Sequence, residues 1–165
     1  MRTCAHRLLL VVAAVTTIGC DRVTKHAAIA MLADEPRRSF LADTVRLEYV
    51  ENRGGFLSLG ADWPATVRTA VLTVGTGLML LIAIASARRF RSNHWLLTGI
   101  ALIVAGGVSN WIDRVMRGSV PDFINLGLGP VRTGIFNVAD VAITLGAVVL
   151  LLAEFRRGRN PPRMA

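Results

Sequence analysis

The chain has 165 residues, of which 53% are hydrophobic and 18% charged, and its net charge is +8. An average soluble protein carries ~25% charged residues. Here the apolar residues come in long runs, which argues against disorder, a soluble globular domain and a basic nucleic-acid binder. The two cysteines, Cys4 and Cys20, cannot build a disulfide framework. The three histidines are far apart and no CxxC or HExxH occurs, so no metal site is expected.

A spanning helix needs ~20 mostly apolar residues. The first span is expected at about 8–27. Its uncharged stretch, Leu8 to Cys20, holds only 13 residues, so it reaches spanning length only with Asp21, Arg22 and Lys25 at its far end. A rival reading takes Arg2, Arg7, the apolar core and Ile18-Gly19-Cys20 as a signal cut before Cys20. Thr17, where such signals usually carry Leu, and the three further spans oppose it. A segment at about 28–66 follows. In it Val45, Leu47 and Tyr49 alternate with Arg46 and Glu48, which predicts a strand. Asn52-Arg53-Gly54-Gly55 predicts a turn and Phe56 to Gly60 a returning strand. The second span, about 67–87, contains 19 residues without a charge, and the third, about 95–114, contains 18. A short connection at about 117–132 is rich in Gly and Pro. The fourth span, about 135–154, draws on a run of 21 residues, 133–153, whose one charge is Asp140. The tail, 158–165, is expected to be disordered.

Lys and Arg concentrate in cytoplasmic loops. Arg2 and Arg7, then Arg88, Arg89 and Arg91, then Arg156, Arg157, Arg159 and Arg163 fall on one side of a four-span chain; with Glu154 they carry the whole +8. This predicts both termini in the cytoplasm. The segments 28–66 and 117–132 then lie outside. The expected fold is an α-helical membrane protein in one domain, with four transmembrane helices and a small outer β hairpin between the first and second spans.

Ionisable groups inside spans are costly and are functional-site candidates by default. Here they gather at one depth. Asp21 and Lys25 are i and i+4 at the outer end of span one, and Asn110, Asp113 and Arg114 stand at the outer end of span three. Asn137 and Asp140 are i and i+3 at the outer end of span four, and Asp122 lies in the loop that feeds it. Asp21–Lys25 also reads as an anchoring pair, Asp113–Arg114 as an ion pair closing the bundle, and the asparagines as interhelical hydrogen-bond groups. Asp140 has no Lys or Arg within four residues. Two carboxyls brought close cannot both stay ionised, so they can act as a base and an acid. Lys25 is the one lysine, and His26 the one histidine placed outside, so no serine–lysine or serine–histidine arrangement is well placed.

The motifs Asp21-Arg22-Val23-Thr24-Lys25, Asn52-Arg53-Gly54, Gly106-Gly107-Val108-Ser109-Asn110-Trp111-Ile112-Asp113-Arg114, Val120-Pro121-Asp122-Phe123 and Phe136-Asn137-Val138-Ala139-Asp140, in this order, resemble lipoprotein signal peptidase (signal peptidase II). The resemblance covers about residues 8–155. It implies a bacterial inner-membrane aspartic protease with four transmembrane helices, a small β-rich periplasmic cradle between the first and second, and Asp122 and Asp140 as the catalytic pair. It implies substrate-contacting or supporting roles for Asp21, Lys25, Asn52, Gly54, Asn110, Asp113, Arg114 and Asn137. The implied partners are diacylglyceryl prolipoproteins, membrane lipids and globomycin-type inhibitors, not nucleic acid. Cleavage would fall just before the lipid-modified cysteine, without metal or cofactor. Two departures stand out. Gly55-Phe56-Leu57 replaces the family's Ala-Ala-Phe, and Pro121 replaces a common valine. The alternative reading is a small transporter or assembly factor whose acids relay protons. Transport favours acids near the midplane, whereas these lie near one surface.

Overall fold

Apolar runs bounded by polar caps set the helices. A computed structural model of the chain describes residues 2–55, 58–90 and 93–159; the expectations that fall on Phe56, Leu57, Arg91 and the tail from Asn160 lie outside the described residues. The helices are α1 (Arg2–Leu32), α2 (Ala65–Ala87), α3 (His94–Arg117) and α4 (Val138–Arg159). Within α2, Ala70–Gly75 winds as a π-helix. Asn93 caps α3 by accepting from the backbone N–H groups of Trp95 and Leu96, and Gly118 ends that helix with φ of 73°.

Three helices among the described residues are long and apolar enough to cross a membrane: Ala65–Ala87, His94–Arg117 and the Val138–Arg156 part of α4. α1 is 31 residues long, but Arg7, Asp21 and Arg22 interrupt its apolar run, and it does not join that set. Three of the four expected spans are thus matched among the described residues. α4 begins at Val138 rather than 135, because Phe136 is extended and bridges Ile124.

The sheet contains an antiparallel pair in the segment between α1 and α2, as expected, but its strands pair differently. Its strands are β1 (Arg38–Phe40), β2 (Val45–Asn52), β3 (Val120–Leu128) and β4 (Val131–Arg132), antiparallel in the order β1-β2-β3-β4. β2 pairs on one side with β1, from the same segment between α1 and α2, and on the other with the Gly- and Pro-containing connection between α3 and α4, rather than with Ser58 to Gly60. Ser58 and Gly60 have φ of 61° and 74°, left-handed values that break an extended strand. A tight loop closes instead, with the Gly55 N–H donating to the Leu59 carbonyl at 2.7 Å.

α3 is the hub. It packs along α4, on α1 and on α2, whereas α1 and α2 share no substantial contact. Small residues let α3 and α4 approach closely. A Cβ at Gly106 would lie 2.3 Å from the Ala139 carbonyl oxygen, a backbone atom that cannot swing aside. Gly106→Ala is expected to push the start of α4 off α3, costing about 1–3 kcal/mol. Thermal unfolding in detergent measures this, and an unchanged midpoint would contradict the close crossing.

Candidate active site

The ends of α1 and α3, the start of α4 and the β2–β3 pair meet at one end of the bundle. The site begins with a strand irregularity. Val45, Arg46 and Leu47 pair with Leu126, Asn125 and Ile124, but Val50 pairs with Asp122, so β2 carries one extra residue between Leu47 and Val50. In the unshifted register Asp122 would oppose Tyr49 and share a face with Glu51. A one-residue slip exchanges the faces of a strand. The bulge therefore turns Asp122 to the face of Val50 and Asn52, and leaves Glu51 to accept from Tyr49 and Ser119 on the other side.

Asp122 is 2% exposed. Its Oδ2 accepts from Asn52 Nδ2 at 2.9 Å and its Oδ1 from Asn137 Nδ2 at 2.6 Å. Burial pushes its carboxyl up to about 6; the Asn52 hydrogen bond works against that rise, and the nearby charge of Asp140 adds to it.

Asp140 stands at the third position of α4. Asn137 is the cap: its Oδ1 accepts from the Asp140 N–H at 3.0 Å, and Asp140 Oδ2 accepts from the Asn137 N–H at 3.1 Å. This reciprocal capping box fixes the carboxyl beside the positive end of the helix. Asp140 Oδ1 accepts from Asn110 Nδ2 at 2.8 Å. Asn137 thus touches both carboxyls, one through its amide and one through its backbone.

A buried charged cluster lies behind the pair. Lys25 donates to Asn110 Oδ1 at 2.7 Å and pairs with Asp21 at 2.7 Å and Asp113 at 2.8 Å. Asp21, fully buried, also accepts from Ser109 Oγ at 2.7 Å and from the Ala139 N–H at 2.8 Å. Arg22 pairs with the other oxygen of Asp113. Asp21 therefore binds α1, α3 and the first turn of α4 together.

Arg114 does not take the partner that its position suggested. It does not pair with Asp113, which Arg22 and Lys25 occupy; its guanidinium donates to the Gly54 carbonyl at 2.9 Å. The loop after β2 is held further by Asn52, whose Oδ1 accepts from the Gly54 N–H at 2.9 Å. Gly54 is needed there, because a Cβ would lie 2.4 Å from the Ser58 carbonyl oxygen.

Asp122, Asp140, Asn52, Asn110 and Arg114 line one cavity of about 530 Å³ with mainly apolar walls. Its α2 wall presents Leu72, within the π-helical turn, and Thr76, just after it. Trp111 Nε1 donates to the Thr73 carbonyl there at 2.8 Å. Among the described residues no group of three or more His, Cys, Asp or Glu is arranged to hold a metal.

The structure gathers all ten candidate residues in this one region. Sequence reasoning passed over Arg22, Ser109 and Trp111. The signal for Ser109 was present, because it is i−4 from Asp113 and so shares the face that meets α1. Nothing local marked the Trp111–Thr73 contact.

The family model for signal peptidase (SPase) II matches residues 13–156. The lipoprotein signal peptidase of Streptococcus pneumoniae is 30% identical over 154 residues, covering 93% of this chain and 97% of that protein. That of Burkholderia multivorans is 37% identical over 143 residues, covering 85% and 83%. A solved bacterial membrane enzyme superposes with a TM-score of 0.78 at 24% identity, covering 95% of this chain and 93% of its own, a likeness of fold.

Proposed function

The chain belongs to the signal peptidase II family, and from that membership we propose that Asp122 and Asp140 form an aspartic endopeptidase centre that cuts prolipoproteins just before the diacylglyceryl-modified cysteine. The protein is a multi-pass membrane protease that removes signal peptides from prolipoproteins. The observation that carries the catalytic assignment is the bridge through Asn137, which holds the buried carboxyl of Asp122 and the half-buried carboxyl of Asp140 on one cavity.

The pair holds one proton between its two members. One carboxylate takes a proton from water as the water oxygen attacks the scissile carbonyl carbon, and the partner carboxyl gives its proton to the carbonyl oxygen. The tetrahedral diol then collapses. The C–N bond breaks, the cysteine nitrogen takes a proton, and a diol hydroxyl returns its proton to the pair. The products are the signal peptide's carboxylic acid and the free amine of the lipid-bearing cysteine, with no covalent enzyme intermediate. Asn52, Gly54 and Arg114 hold the loop over the cavity. Asp21, Lys25, Asn110 and Asp113 support Asp140 and the start of α4 from behind.

In the bacterial inner membrane α1 would add a fourth span, with the site at the periplasmic face and both termini in the cytoplasm. The charge partition supports this, because the arginine-rich segments fall at the helix ends away from the site. The test is cleavage of a synthetic diacylglyceryl prolipoprotein in detergent, with and without globomycin. Cleavage that needs the lipid and is blocked by globomycin is expected. Equal cleavage of the unlipidated peptide would contradict the substrate assignment.

Asn52 gives a pH prediction. Its hydrogen bond favours the ionised form of Asp122, so removing it raises the value further from about 6. Asn52→Leu is therefore expected to move the alkaline limb of kcat/KM, where the shared proton is lost, to higher pH. A limb that stays or moves down would contradict the assignment to Asp122.

A further inference from the structure

At the bundle end remote from the aspartates, where α1 and α2 share no substantial contact among the described residues, lies a groove of about 420 Å³ floored by α3. Its walls are aliphatic, from Ala14 on α1, Ile84 on α2 and Val104 on α3. From Arg7 to Ala14, and from Leu97 to Val104, it runs about 10 Å at 1.5 Å per helical residue. Two cations line it, Arg7 from α1 and Arg88 from the end cap of α2, and neither makes an ion pair among the described residues. Together they offer an apolar slot with a bidentate-capable cation on either side of its mouth.

We propose that this groove binds an anionic phospholipid of the cytoplasmic leaflet, its phosphodiester between Arg7 and Arg88 and one acyl chain between α1 and α2. The proposal rests on the orientation given above, which places this end at the cytoplasmic surface. Arginine recognises phosphate oxygens in a planar fork, and basic pockets between spans on the cytoplasmic side suit anionic headgroups. Charge decides between this lipid and a substrate's signal helix, because a signal peptide begins with a cationic region that Arg7 and Arg88 would repel. A zwitterionic headgroup brings its own cation and gains less. The bound lipid would join α1 to α2, two helices the protein itself leaves apart.

The test uses the full chain purified in detergent, with phosphatidylglycerol or phosphatidylcholine of identical acyl chains. Retained lipid is counted by native mass spectrometry, and the unfolding midpoint is measured with each. Phosphatidylglycerol is expected to be retained at least tenfold better and to raise the midpoint. The preference should vanish in the Arg7→Gln/Arg88→Gln double variant and persist in Arg156→Gln, which lies at the same end outside the groove. Ala14→Trp, which fills the slot and keeps both arginines, should lose retention as well. Equal retention of the two lipids, a preference that survives in the double variant or in Ala14→Trp, or an equal midpoint rise with glycerol phosphate alone would overturn the proposal. Prolipoprotein cleavage measured on the same preparations separates the two readings, since lost cleavage with retained phosphatidylglycerol counts against the catalytic assignment alone.

Discussion

Asp122→Asn and Asp140→Asn are each expected to lower prolipoprotein processing at least about a hundredfold, the scale of losing a general acid or base. An amide can neither take the proton from water nor return it. Both carboxyl oxygens of each aspartate accept hydrogen bonds: Asp122 from Asn52 and Asn137, Asp140 from Asn110 and the Asn137 N–H. An asparagine offers one acceptor oxygen, so its NH2 group would meet a donor. Flipping Asn52 to relieve this would break its bond from the Gly54 N–H, and flipping Asn137 would break the cap on Asp140. A stability loss of about 1–3 kcal/mol accompanies the loss of activity. Each variant is therefore assayed at a temperature where its unfolding curve shows it folded. Near-normal cleavage by either would remove that residue from the mechanism.

Asp21→Ala is expected to destabilise the protein by about 3–5 kcal/mol, the cost of leaving a buried charge without its partner. The cluster holds two anions, Asp21 and Asp113, against two cations, Arg22 and Lys25. Removing Asp21 strands positive charge at Lys25, which is 2% exposed, and releases Ser109 and the Ala139 N–H. Processing should fall as well, because the first turn of α4 then loses its tie to α1. Asp21→Leu combined with Lys25→Met removes both charges, and it should cost less than the sum of the single changes. Unfolding midpoints of the three variants test this. Strict additivity would show that the two residues do not act as a pair.

The spans were legible in the sequence because apolar runs are local. The runs at 67–87 and 95–114 correspond to Ala65–Ala87 and His94–Arg117. The period-two alternation at 45–49 likewise marked β2, Val45–Asn52. The β3 partner of β2 was hidden for two reasons. Strand pairing is non-local, and the start of β3, Val120 to Phe123, is buried throughout, so it shows no polar alternation. Gly127 and the Gly129-Pro130 turn then made the connection look like a loop. The polar groups of the site were visible as a set at one depth, but their pairing was not. Arg114 lies next to Asp113 in sequence yet reaches Gly54, while Arg22 comes from another helix to Asp113. The bulge that turns Asp122 inward depends on two strands about 70 residues apart, and no local pattern announces it.

The most direct measurement is mass spectrometry of the two products formed when the purified chain is given a diacylglyceryl prolipoprotein. The account predicts one cut, yielding a signal peptide with a free C-terminal carboxyl and a mature chain that begins with the lipid-bearing cysteine, with no adduct on the protein during turnover. A cut at any other bond, or a peptide covalently held on the chain, would contradict it.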